Sequence, residues 1–253
     1  MIKMKKNNGR KYFVCLVLGL FISIVAPGCS YGQSFEGTLV YSAEIEPSAS
    51  LIKMGMDESA LKGKMQEEGV WADTMRVVYK VGNYRSEMES RIKSWSVYRS
   101  DSNKIYSFQE NSELCTITDA SVDTEGRMLK KNPSVEILDT TATVFNKRCK
   151  IVRVQWQSGH YDYYFKEGFL SINPELYKGH KYDGWYEFLK LSKSLPIKVT
   201  KVTNGVMSVS FTLEKVVKHK VKDSVFILPE LIPPKEKLAV TPPNKVIMKI
   251  KEE

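Results

Sequence analysis

Residues 149–165 read Cys149-Lys-Ile-Val-Arg-Val-Gln-Trp-Gln157, then Ser158-Gly159, then His160-Tyr-Asp-Tyr-Tyr-Phe165. Two β-rich runs flank a two-residue turn signal, the pattern of an antiparallel hairpin. With Ser158-Gly159 as the whole loop, Gln157 faces His160. Counting outward sets Val152, Val154 and Trp156 opposite Phe165, Tyr163 and Tyr161. That face is apolar or aromatic throughout. The other carries Arg153 beside Tyr164, Gln155 beside Asp162 and Gln157 beside His160, as in a sheet with one wet side. A slip of one residue would exchange the faces, so the phase of the strands is strongly specified.

The same grammar recurs along the chain. Phe35 to Ile45 reads as a first strand, ended by Pro47, Ser48 and Ser50. Asp57 can cap a short helix over Met56 to Glu68, which Gly69 closes. Met75 to Val81, Gly82-Asn83 and Tyr84 to Glu89 form a hairpin in which Val77, Tyr79 and Val81 share a face with Met88, Ser86 and Tyr84, and Arg76 meets Glu89. Strands over Ile92–Arg99, Lys104–Gln109 and Leu114–Thr118 continue a meander, and Asp119 to Pro133 reads as the longest loop. Val135 to Val144 leads back to the central hairpin. Asp183 can cap a second short helix whose Trp185, Phe188 and Leu189 sit at i, i+3 and i+4. Leu195–Thr203, Asn204-Gly205 and Val206–His219 make another hairpin, with Met207, Val209, Phe211 and Leu213 on one face. Strands of this spacing predict a mainly β fold, one large antiparallel curved sheet or unclosed barrel, with two short helices in or over its concave face.

Three segments follow. Residues 1–33 read as a secretory signal: Lys3, Lys5, Lys6, Arg10 and Lys11 precede an apolar run from Phe13 to Ala26, shorter than the roughly 20 residues a membrane helix needs. Two processing readings stand side by side. Signal peptidase would cut after Gly32 or Gln33; alternatively Ala26-Pro27-Gly28-Cys29 is a lipobox and Cys29 carries a lipid anchor. Residues 34–229 are the β domain, and 230–253 a Pro- and Lys-rich tail in which Val246, Met248 and Ile250 alternate as one edge strand. No other stretch is long and apolar enough to span a bilayer. The expected location is the periplasm or the outer membrane.

Charge and cysteines narrow the function. The formal charge of +9 loses five cations with the leader, 9 − 5 = +4, and the remaining surplus lies near the C-terminus without interleaved aromatic residues. Nucleic acid is therefore not an expected partner. Cys115 and Cys149 remain; in an oxidising compartment they either bridge a loop of about 35 residues, worth about 3–4 kcal/mol, or stay buried thiols. The only histidines, His160, His180 and His219, have no ligand-type spacing, and there is no nucleophile elbow, phosphate loop or dinucleotide fingerprint. His160 and Asp162 are expected on the wet face. No catalytic residue, metal site or cofactor is predicted. The aromatic surplus is the one feature that suggests a ligand: Trp71, Trp95, Trp156, Trp185 and Phe188 either line a groove or fill an ordinary core.

Gln-Ser-Phe-Glu-Gly-Thr-Leu-Val-Tyr from Gln33, Val-Tyr-Lys-Val-Gly-Asn-Tyr-Arg from Val78, Ser-Leu-Pro-Ile-Lys-Val from Ser194 and Lys-Asp-Ser-Val-Phe-Ile-Leu-Pro from Lys222 resemble exported proteins of Bacteroidetes type related to the GLPGLI proteins. The resemblance covers roughly Phe35 to Pro229; Ser194 stands where a Gly often precedes the Leu-Pro, and the basic tail is extra. It implies a LolA/LolB-like unclosed β-barrel whose hollow can receive acyl chains. The expectation is a noncatalytic envelope protein that binds an apolar or lipid-like ligand. The alternative is an interaction module that docks an envelope partner through a sheet edge or the tail.

Overall fold

Strands β8 (Lys147–Gln155) and β9 (Gly159–Phe165) form the central hairpin with the expected faces in a shifted register. Val152 pairs with Tyr163, Val154 with Tyr161 and Gln155 with His160, two residues from the sequence-based pairing. The loop is Gln157-Ser158, closed by Trp156 N–H donating to the Gly159 carbonyl at 2.9 Å. Gly159 is therefore a strand residue. Its glycine is required because a Cβ there would lie 1.8 Å from the Val202 carbonyl oxygen on the next strand. An even shift conserves side-chain phase, so Val152, Val154 and Tyr163 are still buried together.

The computed structural model describes residues 34–234 and 244–251; Cys29, Gly32 and Gln33 lie outside the described residues. In chain order the remaining elements are β1 (Gly37–Pro47), α1 (Ala49–Lys53), α2 (Glu58–Glu67), β2 (Thr74–Lys80), β3 (Asn83–Met88), β4 (Ser94–Arg99), β5 (Lys104–Gln109), β6 (Leu114–Asp119), α3 (Thr124–Leu129) and β7 (Ser134–Val144). After the hairpin come α4 (Trp185–Ser192), β10 (Lys198–Thr203), β11 (Met207–Lys218), β12 (Leu231–Ile232) and β13 (Lys245–Ile250). The thirteen strands of the described residues join one antiparallel sheet in the order β12-β13-β6-β5-β4-β3-β2-β1-β11-β10-β9-β8-β7. Its edges, β12 and β7, are not paired with each other, so the sheet is not closed into a barrel.

Local hairpins build each half, and one long-range pairing joins them. β2 to β6 meander away on one side of β1, and β7 to β11 approach it in reverse on the other. β1 pairs with β11 from Gly37↔Lys218 to Pro47↔Met207, and the register shifts between Val40 and Tyr41. That shift leaves Glu214 as an extra residue, a bulge that increases local twist.

The faces follow from alternation. Leu39, Tyr41, Ala43 and Ile45 of β1 point to the helix-bearing side. There α4 inserts Phe188 and Leu189 into the main core, and α2 sets Leu61 over Ala43, Ile45 and Trp71. On the opposite side Val78 and Val97 pack beneath Val221 and Phe226 of the segment that follows β11.

Several expectations need correction. In the β2–β3 hairpin Tyr79 pairs with Tyr84 and Arg76 with Glu87, again two residues from the predicted register, because the loop is Val81-Gly82. Both adopt left-handed φ, 39° and 83°, a conformation that a β-branched residue rarely takes. The stretch 119–133 contains α3, and Ser48, read as a strand stop, caps α1 by accepting from Leu51 N–H. Asp57 caps α2 as expected, accepting from Ala60 N–H. Asp183 does not cap α4; it is left-handed (φ 59°) and Gly184 precedes the helix. The tail strand forms as β13, paired with β6. Cys115 and Cys149 are both free and buried, on strands separated by eight others, and burial raises both thiol pKa values, that of Cys115 to about 12.

Candidate functional site: a tyrosine-lined cavity

A cavity of about 310 Å³ lies between the helix-bearing face and the segment leading into α4. Its wall takes side chains from six consecutive strands of the sheet: Tyr84 and Ser86 of β3, Val77 and Tyr79 of β2, Tyr41 of β1, Phe211 of β11, Lys201 of β10 and Tyr163 of β9. His180, Tyr182, Asp183 and Trp185 close it from above. The sheet thus wraps the space, and the left-handed pair Asp183-Gly184 turns the chain back across it.

Most of the wall is rigid aromatic surface. Tyr84 stacks on Tyr98 with centroids 5.1 Å apart, and Trp185 meets Tyr84 and Tyr163 edge-on at 6.4 and 6.1 Å. Tyr41 donates to the Pro196 carbonyl at 2.9 Å and Tyr163 to the Asp183 carbonyl at 2.6 Å. The Tyr84 hydroxyl lies 2.9 Å from His180 Nε2. Burial raises the pKa of Tyr41, Tyr79, Tyr84 and Tyr163, so all four remain phenols at neutral pH. Burial also lowers His180 to about 4, the Asp183 carboxylate opposing it in part. Its ring is neutral at pH 7.

One ion pair breaks the apolar lining. Lys201 Nζ lies 2.7 Å from Asp183 Oδ2 and 4.7 Å from the Tyr161 ring centroid. Burial disfavours the ammonium, but Asp183 and Tyr161 outweigh it and the Lys201 pKa is raised. Its side chain keeps 34% of its exposure. The pair therefore sits where the cavity meets water.

Of the five aromatic residues expected to line a groove, Trp185 does so. Phe188 is one layer behind, fully buried and stacked on Tyr163 at 4.5 Å. Trp156 donates its indole N–H to Asp123 at 3.0 Å and lines a neighbouring cleft with Tyr161, Tyr182 and Asp183. Trp71 belongs to the cluster beneath α2. Trp95 occupies the opposite face, stacked on Phe108 at 5.5 Å with the Arg85 guanidinium over it. Asp162, expected in water, is 6% exposed and takes both arms of Arg153 at 2.7 Å; His160 lies 3.8 Å from it. Lys201 was the residue to find: in Ile197-x-Val199-x-Lys201 a cation holds the inward phase of a strand.

The described strands thus form an antiparallel, unclosed sheet around a small aromatic hollow. No family model matches the chain, and no curated protein matches it. Among solved structures, PNGF-II is similar at a TM-score of 0.39 in its C2 crystal form, with 13% identity over 75% of this chain and 29% of that one. In its P21 form the TM-score is 0.38, with 12% identity over 74% and 29%. The chain spans less than a third of the length of the protein it matches.

Proposed function

We propose that this chain is a noncatalytic exported envelope protein that holds a small apolar ligand in the tyrosine-lined cavity. The observation that carries the reading is the cavity's makeup: aliphatic and aromatic side chains from six strands enclose about 310 Å³, the small end of the roughly 300–1,000 Å³ typical of ligand sites. That size suits a single short acyl chain or a fused ring system better than a whole phospholipid. A binding role is supported by the protonation states of the lining. The phenols are held neutral and Lys201 is held charged, so neither offers a base or a nucleophile at pH 7. The leader sequence supports export.

Ser86, half-buried on β3, is the lever for a test because a larger side chain there would occupy the hollow. Wild-type protein should give a saturable fluorescence rise with the neutral apolar dye N-phenyl-1-naphthylamine, and Ser86→Phe should weaken it at least tenfold. Equal binding by the folded variant would place the dye elsewhere and defeat the proposal.

A further inference from the structure

The cavity's polar groups say what kind of ligand it takes. Three side-chain atoms buried without a partner among the described residues, Tyr177 Oη, His180 Nδ1 and Trp185 Nε1, belong to one aromatic cluster in or behind the cavity wall: Tyr177 and His180 contact the Trp185 ring at 6.5 and 6.3 Å. Tyr79 is more telling. It lines the cavity and is 5% exposed, and among the described residues its hydroxyl makes no hydrogen bond. Burial is the one influence on its ionisation. The ring is buried but the oxygen is not among the buried atoms left without a partner: it opens onto the cavity, where a polar atom on an occupant can take the place of water as its acceptor.

Charge then selects among polar heads. Lys201 and Asp183 line the same cavity and neutralise each other at 2.7 Å. An anionic head drawn to the Lys201 ammonium would meet the Asp183 carboxylate at close range. Asp123 and Glu125 share the adjacent cleft with Asp183 and extend that negative side. A cationic head would meet Lys201. An uncharged hydroxyl or carbonyl avoids both conflicts: it accepts from the Tyr79 hydroxyl, and a hydroxyl can also donate to Asp183.

We infer that the cavity selects an uncharged amphiphile, an apolar body bearing one hydroxyl or carbonyl head that pairs with the Tyr79 hydroxyl beside the Lys201–Asp183 pair. This rests on the apolar-ligand reading above and narrows it to a chemical class.

Matched eight-carbon probes separate the two. At pH 7, 1-octanol, octanoate and octylammonium are titrated against dye-loaded protein, and 1-octanol is also measured directly by calorimetry. The expected result is displacement by 1-octanol at a concentration at least tenfold below either ion. Tyr79→Phe should lower the ratio of octanol to dye affinity by roughly three- to tenfold. Asp183→Asn, which leaves Lys201 unopposed, should turn the preference toward octanoate. If the dye binds but an ion competes as well as 1-octanol, or Tyr79→Phe leaves the ratio unchanged, the head-group inference is overturned and the apolar site stands. If neither dye nor 1-octanol binds, both fall.

Discussion

Acidification should weaken this fold through His180, and the size of the effect can be worked from its surroundings. The ring is 2% exposed, enclosed by Tyr84, Tyr98 and Trp185 at centroid distances of 5.9, 4.5 and 6.3 Å. Protonating it would place a cation among aromatic rings, with Nδ1 lacking a partner. Its folded pKa is therefore about 4 against an ordinary 6.5. Between these values the unfolded chain binds the extra proton and the folded chain does not, so the stabilisation is complete above pH 6.5 and is lost as pH falls toward 4. From pH 7 to 4.5 the loss is about 2.5 kcal/mol by linkage. His180→Phe cannot take up the proton, and its stability should be flatter by that amount over the same range. At pH 7 the variant should itself be less stable by about 1–3 kcal/mol, because the Tyr84 hydroxyl loses its partner. His160, also shifted downward by burial, is present in both proteins and cancels in the difference. Urea unfolding at pH 7, 6, 5 and 4.5 measures both slopes. Parallel profiles for wild type and variant would refute the assignment of a neutral, enclosed imidazole.

Two further substitutions test the architecture. Gly159→Ala should cost about 1–3 kcal/mol, since its Cβ would lie 1.8 Å from the Val202 carbonyl and must push β9 from β10. Gly63→Ala, in α2 with open space around the new methyl, should gain about 0.5–1 kcal/mol; chemical denaturation of the pair checks that glycines are retained for different reasons. Phe188→Ala should lose about 3–5 kcal/mol, because the ring is fully buried against Tyr163. A loss below about 1 kcal/mol in urea would mean that α4 is not anchored there.

Side-chain phase was legible where the error of register was even. The β2–β3 and β8–β9 hairpins shifted by two residues, and Val152, Val154, Tyr163, Val77 and Tyr79 kept their buried faces, whereas the hairpin expected to turn through Asn204-Gly205 turns through Asn204-Gly205-Val206, with Thr203 paired to Met207, a shift of one that sets Lys201 opposite Val209. The turns differ for local reasons: Gly82-Asn83 reads as the loop, but Val81 takes a left-handed φ before Gly82 and Asn83 is a strand residue, and Gly159, which reads as a loop residue, serves a neighbouring backbone. Short helices were harder. α1 and α3 have five and six residues, too few for helical periodicity to emerge. Asp123, which could have announced α3, gives its carboxylate to Trp156 instead.

The cavity was the least legible part because residue type does not say which aromatic side chain faces a void. Trp71, Trp95 and Trp156 each satisfy a local need: the patch beneath α2, a stack on the far face, an indole bond to Asp123. Which aromatic faces a void depends on pairings distant in sequence. Tyr41 and Phe211 come to one wall because β1 pairs with β11, and Lys201 reaches Asp183 because β10 lies beside β9 while the chain after β9 folds back over the sheet. What one strand shows is only that a charge occupies an inward position, and such a residue must be paired, solvated or in contact with a ligand. Lys201 has the first two: Asp183 holds it, and a third of its side chain meets water. The Tyr79 hydroxyl, on the same wall, makes no hydrogen bond among the described residues and opens onto the cavity, so at this site the phenol is freer to pair with an occupant than the charge is.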